Sequence, residues 1–181
     1  MNVLMPVADG SEEMEIAIVA DIFRRAKWKV VIAGPDAGAI RASRGMRIVP
    51  DAALADIAPE IFDMLAIPGG GDGVKALAKD ERLLAAARAF MANGKWVTAI
   101  CAGPLVLQAA GVLKGRRATC HPGVAGEFTQ TPRLDDRVVT DGRLITSQAP
   151  GTAFEFALAV IRAVEGDRKA DELAKSMVVK A

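Results

Sequence analysis

Histidine is nearly missing from this chain, and neither sign of charge is concentrated anywhere in it. One His among 181 residues excludes a His-rich zinc site. Two cysteines, Cys101 and Cys120, are too few for a disulfide framework. A cytosolic chain would keep both reduced. The formal net charge is +1, and no basic block occurs. Nucleic acid and anionic membrane are therefore not the obvious partners. No apolar run approaches the roughly 18 residues that a membrane-spanning helix needs. Residues 1–10 lack a basic n-region, and their apolar stretch breaks at Asp9. That pattern argues against a secretory signal and for a cytoplasmic protein.

What is present suits a globular chain: 51% of the residues are hydrophobic and 25% are charged. The length fits one core, and no repeat, linker or low-complexity tract divides it, so a single domain is expected over 1–181. Val3–Val7, Val30–Ala33, Met64–Ile67 and Trp96–Ile100 are short apolar runs. Such runs fit strands buried on both faces of a parallel sheet. Helix-period segments lie between them. Ile16, Val19, Ala20, Phe23 and Ala26 share one face. A second helical pattern runs from Leu77 to Met91, with a break near Lys79-Asp80. Leu105–Val112 and Phe154–Val164 predict further helices, the last with a capping box at Thr152 and Glu155 and a stop at Gly166. Hairpins are expected at 40–49, around Ser43-Arg44-Gly45, and at 138–146, around Asp141-Gly142. Alternation of strand and helix implies a parallel sheet covered on both sides.

The most informative stretch is Trp96 to Pro104, where a buried strand runs into Cys101 and a helix follows. This is the elbow known from nucleophile motifs. A helix N-terminus offers free amides and partial positive charge. Such a setting can lower a cysteine pKa from about 8.5 to roughly 3.5–7.5. Gly103 is expected to ease the turn, and Pro104 suits a first helical turn. The same position also suits an inert core cysteine. Ile67-Pro68-Gly69-Gly70-Gly71 ends the preceding strand on the same rim. Its amides, with that of Ala102, can form an oxyanion hole. A phosphate-cradling loop is not indicated, since no Gly-Lys-Ser/Thr follows. Glu12, Glu13 and Glu15 open a helix, and simple helix-start charge accounts for Glu12 and Glu13. Spacing alone does not single out Glu15. His121 follows a strand-like run, Arg117–Cys120, that would bring it to the rim as base or proton relay for Cys101. Cys120, pointing the other way, reads as a small core residue.

Five motifs occur together in order: Gly-Ser-Glu-Glu-Met-Glu (10–15), Pro-Gly-Gly (68–70), Ala-Ile-Cys-Ala-Gly-Pro (99–104), His-Pro (121–122) and Pro-Gly-Thr-Ala-Phe-Glu-Phe (150–156). Together they resemble the ThiJ/PfpI superfamily, in the branch that holds the Parkinsonism-associated deglycase and bacterial ThiJ-like members. The stretch 176–181 is similar to that family's usual end.

The resemblance implies a flavodoxin-like α/β three-layer sandwich of the class I glutamine amidotransferase-like kind, with a mostly parallel central sheet, and a homodimer. It implies Cys101 as nucleophile and Glu15 as the carboxyl at the sulfur. It makes Gly70 and Ala102 the oxyanion donors and places His121 nearby. It sets Gly69, Arg25, Arg44 and Met14 at the pocket or the dimer contact. The implied chemistry is glyoxalase III or deglycase action on methylglyoxal, glyoxal or early glycation adducts of protein or nucleotide. It yields 2-hydroxy acids, without metal or organic cofactor. The alternative is a redox-sensing stress protein or chaperone whose Cys101 is oxidised to sulfinate. Ala102 stands where the protease-like branch has a His, so that peptidase dyad is absent. Cys120 is outside the family's catalytic pattern.

Overall fold

The computed structural model describes residues 1–179; Lys180 and Ala181, the last two of the 176–181 stretch, lie outside the described residues. Seven strands form the main sheet in the order β5-β2-β1-β6-β7-β9-β8. They are β1 (Asn2–Pro6), β2 (Lys29–Gly34), β5 (Ala52–Ala53), β6 (Met64–Ile67), β7 (Trp96–Ile100), β8 (Val138–Asp141) and β9 (Leu144–Ser147). All pairings are parallel except β8 with β9, the hairpin expected at Asp141-Gly142. The short strands β3 (Ile40–Arg41) and β4 (Arg47–Ile48) make a separate antiparallel hairpin, also as expected.

Two apolar clusters lie on opposite faces of the sheet. Along β1, Val3 and Met5 enter the first cluster and Leu4 the second, as the two-residue period of a strand demands. The first cluster is covered by α1 (Glu13–Arg25), α5 (Ala153–Glu165) and α6 (Asp167–Ser176). The second is covered by α2 (Gly71–Leu77), α3 (Glu81–Ala92) and α4 (Pro104–Ala109). The architecture is therefore the flavodoxin-like three-layer sandwich. The break near Lys79-Asp80 is a true helix boundary. There Asp80 caps α3 by accepting from the amides of Arg82 and Leu83.

Three local expectations need correction, and one helix was not foreseen. Thr152 does not cap α5 or form a capping box with Glu155; it accepts instead from the Ala149 amide at 3.1 Å. Its hydroxyl lies 2.6 Å from Ser147 Oγ and donates to the Ala149 carbonyl, while Glu155 pairs with Arg137 at 2.6 Å. Residues 117–120 form no strand; Ala118 makes one isolated bridge to Arg133. The helix after Cys101 ends at Ala109 and not at Val112. Helix α6, whose residues are mostly charged, has no counterpart in the sequence reading. No helix among the described residues is long and apolar enough to cross a membrane.

Candidate active site

Strand order places the site. The chain leaves β1 for β2 on one side and later returns to β6 on the other, and the helices that follow β1 and β6, α1 and α2, lie on opposite faces of the sheet. In such sheets, the crevice at this switch point is where ligands bind. The loop 7–12, the loop 68–70 and the elbow at Cys101 meet there.

The elbow is strained at Cys101 itself. Its φ is +63°, in the left-handed region that non-glycine residues seldom occupy. Gly103 gives room for the turn as expected: its own conformation is ordinary helical, but a Cβ there would lie 2.7 Å from the Ile67 carbonyl oxygen and 2.8 Å from that of Ile100. Long-range bonds hold the strained residue. The Cys101 amide donates to the Ser147 carbonyl at 2.9 Å, and the His121 amide donates to the Cys101 carbonyl at 2.8 Å. Strain of this kind costs on the order of 1–3 kcal/mol and persists only where the surroundings enforce it.

Glu15, in the first turn of α1, is wholly buried. Its Oε2 accepts from the Gly69 amide at 2.6 Å, while Oε1 is buried with no hydrogen-bond partner among the described residues. The carboxyl lies against the half-buried Cys101 thiol. Burial, the largest cause, raises the Glu15 pKa to about 7, while the Gly69 amide and the thiol oppose the rise. The thiol is pushed up to about 12 by burial and by the Glu15 charge and bond. The amides of Ala102 and Gly70 pull the other way. This corrects the expected lowering by a helix end: α4 starts only at Pro104 and is six residues long. Carboxylate and thiolate oppose one another, so the two groups titrate as a pair.

Glycine at 69 and 70 is required by space. A Cβ on Gly69 would sit 2.6 Å from Cys101 Cβ and 2.9 Å from Glu15 Oε2. A Cβ on Gly70, where φ is +95°, would collide with the Gly10 carbonyl. His121 lines the same cleft, but its Nδ1 accepts from the Gly123 amide at 2.9 Å. In the neutral ring the hydrogen is thus on Nε2, and no described hydrogen bond joins the ring to Cys101.

Arg44 lines the cleft as well. Arg25 does not; it pairs with Asp21 at 2.5 Å on the surface of α1. Met14 points outward, 52% exposed.

Glu12 and Glu13 are more than helix-start charge. Both are buried, and Ser43 Oγ lies 2.5 Å from Glu12 and 2.9 Å from Glu13. The Arg44 amide also donates to Glu13. These bonds tie the β3–β4 hairpin to α1 and set one wall of the cleft. Helical spacing carries no signal for a partner 30 residues away. Cys120 is fully buried in the second apolar cluster, on the other face of the sheet from the cluster that Cys101 packs against. Among the described residues, no group of three or more His, Cys, Asp or Glu is placed to hold a metal ion.

A cysteine on a strained strand-to-helix elbow, facing a buried carboxyl at the switch point of a flavodoxin-like sheet, defines a recognisable class of α/β protein. The chain belongs to the DJ-1/PfpI family, whose pattern matches residues 1–163. It is 40% identical to Protein dj-1beta of Drosophila melanogaster over 181 residues, covering 98% of this chain and 97% of that one. It is 39% identical to the Glutathione-independent glyoxalase DJR-1.2 of Caenorhabditis elegans over 177 residues, covering 97% and 94%. Against Protein DJ-1 homolog B of Arabidopsis thaliana it is 38% identical over 180 residues, but it spans only 41% of that longer protein. The solved structure of Drosophila melanogaster DJ-1beta superposes with a TM-score of 0.95 at 39% identity, covering 99% of this chain and 98% of that one.

Proposed function

We propose that this protein is a cofactor-independent glyoxalase or deglycase that converts α-oxoaldehydes to 2-hydroxy acids, with Cys101 as nucleophile. One observation carries the reading: the buried Glu15 carboxyl lies against the Cys101 sulfur while two backbone amides face that sulfur. The name of the nematode relative, a glutathione-independent glyoxalase at 39% identity, agrees with it.

The pair shares one proton at the reactive stage. A fully buried carboxylate with one donor and an orphaned oxygen is a poor place for charge. A half-buried sulfur facing two amides is a better one. Taken singly, the carboxyl at about 7 ionises before the thiol at about 12; attack requires the other arrangement of the coupled pair, with the proton on Glu15 and the charge on Cys101, and the two amides facing the sulfur favour it. The sulfur adds to the aldehyde carbon, and the Gly70 and Ala102 amides hold the oxyanion that develops. Glu15 gives that oxygen its proton and is left as a carboxylate. It then removes the hydrogen of the former aldehyde carbon as a proton. The electron pair passes toward the ketone, whose oxygen takes up the proton of the neighbouring hydroxyl as that hydroxyl becomes the thioester carbonyl, and Glu15 returns its proton to the former ketone carbon. One carbon is oxidised and its neighbour reduced, giving a thioester. Water cleaves it to the 2-hydroxy acid and restores the cysteine. His121, its hydrogen on Nε2, serves as a donor to the substrate oxygen and not as the base. A second copy of the chain is proposed to cover the face of α1 that exposes Met14, with Arg25 about three turns further along the same helix, in a cytoplasmic homodimer.

A second reading rests on the same half-buried sulfur: oxidation of Cys101 to sulfinate, stabilised by the two amides and a protonated Glu15. A Toxoplasma gondii relative, 34% identical, has been solved under the description "oxidized". Turnover of methylglyoxal by the wild type, Cys101→Ser and Glu15→Gln separates the readings. Lactate release by the wild type and its loss in both variants supports the enzyme. No release by the wild type, with ready formation of Cys101 sulfinate under peroxide, supports the sensor.

A further inference from the structure

The cleft above Cys101 has a volume of about 670 Å³. That lies in the range of roughly 300–1,000 Å³ typical of pockets for drug-sized ligands, far more room than a three-carbon aldehyde fills. Its far wall is the β3–β4 hairpin, which contributes Arg41 and Arg44.

The charged groups around the cleft are not equally engaged. Asp9 Oδ1 accepts from the Arg41 amide at 2.8 Å, and Glu12 accepts from Ser43 Oγ. Asp72 pairs with Lys75 at 3.0 Å. Each of the three carboxylates thus has a donor from the protein. Neither Arg41 nor Arg44 has an ion-pair partner among the described residues. The cleft lining carries three carboxylates against two guanidiniums, and one of the carboxylates, Asp72, is paired by Lys75 beside the cleft. What it leaves unfilled are two guanidinium forks, the donors best matched to a carboxylate or phosphate.

We propose that Arg41 and Arg44 form an oxyanion-reading rim, and that the preferred substrate is an α-oxoaldehyde carrying a carboxylate or phosphate at the end away from the aldehyde. The aldehyde reaches Cys101, the chain spans the cleft, and the anionic end meets the guanidiniums. The reaction is unchanged, since the anionic group takes no part in the internal transfer between the two carbonyl carbons. This inference rests on the glyoxalase reading for its substrate, but its binding half can be measured separately.

Three substrates test it: 4,5-dioxopentanoate, which ends in a carboxylate; 3-phosphooxy-2-oxopropanal, which ends in a phosphate; and neutral 2-oxopentanal, equal in chain length to the first. The wild type is expected to favour at least one anionic substrate over 2-oxopentanal by about tenfold or more in kcat/KM, as charge-assisted pairing implies. The double variant Arg41→Ala/Arg44→Ala is expected to bring that ratio close to one, mainly through KM. Which anionic substrate leads identifies carboxylate or phosphate. A wild-type ratio near one, or a ratio that survives in the double variant, overturns the proposal.

Should the wild type turn over none of the three, the glyoxalase reading fails and the rim is judged by binding alone. The probe is 4-oxopentanoate, which has no aldehyde, used to protect Cys101 from iodoacetamide, with neutral 2-pentanone as control. Protection by 4-oxopentanoate alone, lost in the double variant, upholds the rim; equal or absent protection overturns it.

Discussion

The Glu15 carboxyl is wholly buried against the Cys101 sulfur, and the Gly69 amide, bonded to Oε2 at 2.6 Å, fixes how it faces that sulfur. Two acids in contact cannot ionise independently. The position of their shared proton decides whether the sulfur is a nucleophile, and several expectations depend on it.

The first concerns alkylation. With the proton on Glu15, iodoacetamide should modify Cys101 with a midpoint below the value of about 8.5 for a free cysteine. With the charge on Glu15, the midpoint moves toward the value of about 12 that an ionised neighbour and burial impose. Mass spectrometry of the alkylated peptide across pH reads the difference. A midpoint above the free-cysteine value would place the proton on sulfur and remove the mechanism proposed above.

The second concerns stability. Burial raises the Glu15 pKa from 4.5 to about 7, so the folded state binds this proton more tightly than the unfolded state. The sign follows from linkage. The favourable contribution is fully present below pH 4.5 and is lost as pH rises through about 7. At 1.36 kcal/mol per pH unit the loss amounts to about 3 kcal/mol. In Cys101→Ser, which removes the thiol bond that holds the Glu15 pKa down, denaturant unfolding should show a fall that begins near pH 4.5 and runs to at least pH 7. Cys101→Ser/Glu15→Gln should not show it. Parallel stability profiles for the two would mean that Glu15 is not desolvated as described.

These residues also mark how far the sequence could be read. The apolar run Trp96–Ile100 and the glycines after Ile67 were legible, because a buried strand needs few residue types and a close backbone approach needs glycine. The left-handed conformation of Cys101 was not. It is imposed by bonds to Ser147 and His121, residues distant in the chain, and nothing beside Cys101 demands it. The family resemblance, not spacing, picked Glu15 from its acidic neighbours, since α1 and its entry bury Glu12 and Glu13 as well. The tie from those two to Ser43 was invisible for the same reason. Thr152 misled because Ser147, which engages its hydroxyl, lies outside the local capping pattern.

Gly69 offers a third expectation. A methyl group there would meet Cys101 Cβ, Glu15 Oε2 and the Ala102 amide nitrogen, at 2.6, 2.9 and 3.0 Å. Something must move, and all three neighbours belong to the proposed reacting centre. Overpacking of this kind costs about 1–3 kcal/mol. The effect on turnover should be larger, about a hundredfold, because misplacement by an ångström can cost that much. Gly69→Ala should therefore remain folded by circular dichroism, with a modest loss of melting temperature, yet lose nearly all methylglyoxal turnover. Turnover within threefold of wild type would show that the Glu15–Cys101 contact is not needed.

His121 distinguishes a base from a neighbour. Its Nδ1 is occupied by the Gly123 amide at 2.9 Å, capping the short helical turn Pro122–Val124. A general base would need a free ring nitrogen directed at the thiol, and Glu15 already lies against that thiol. His121→Asn can keep an oxygen acceptor for Gly123 while removing the Nε2 donor. Loss of a true acid–base catalyst costs about 10²–10⁴ in rate. A donor to the substrate oxygen, assisting two backbone amides, should cost less, about tenfold, with the pH dependence of kcat/KM unchanged because Glu15 still sets it. His121→Ala, which also removes the cap, should lose more stability than His121→Asn, by about 1 kcal/mol. A drop beyond a hundredfold in His121→Asn, with the acid limb of the pH profile abolished, would move the proton-transfer role from Glu15 to His121.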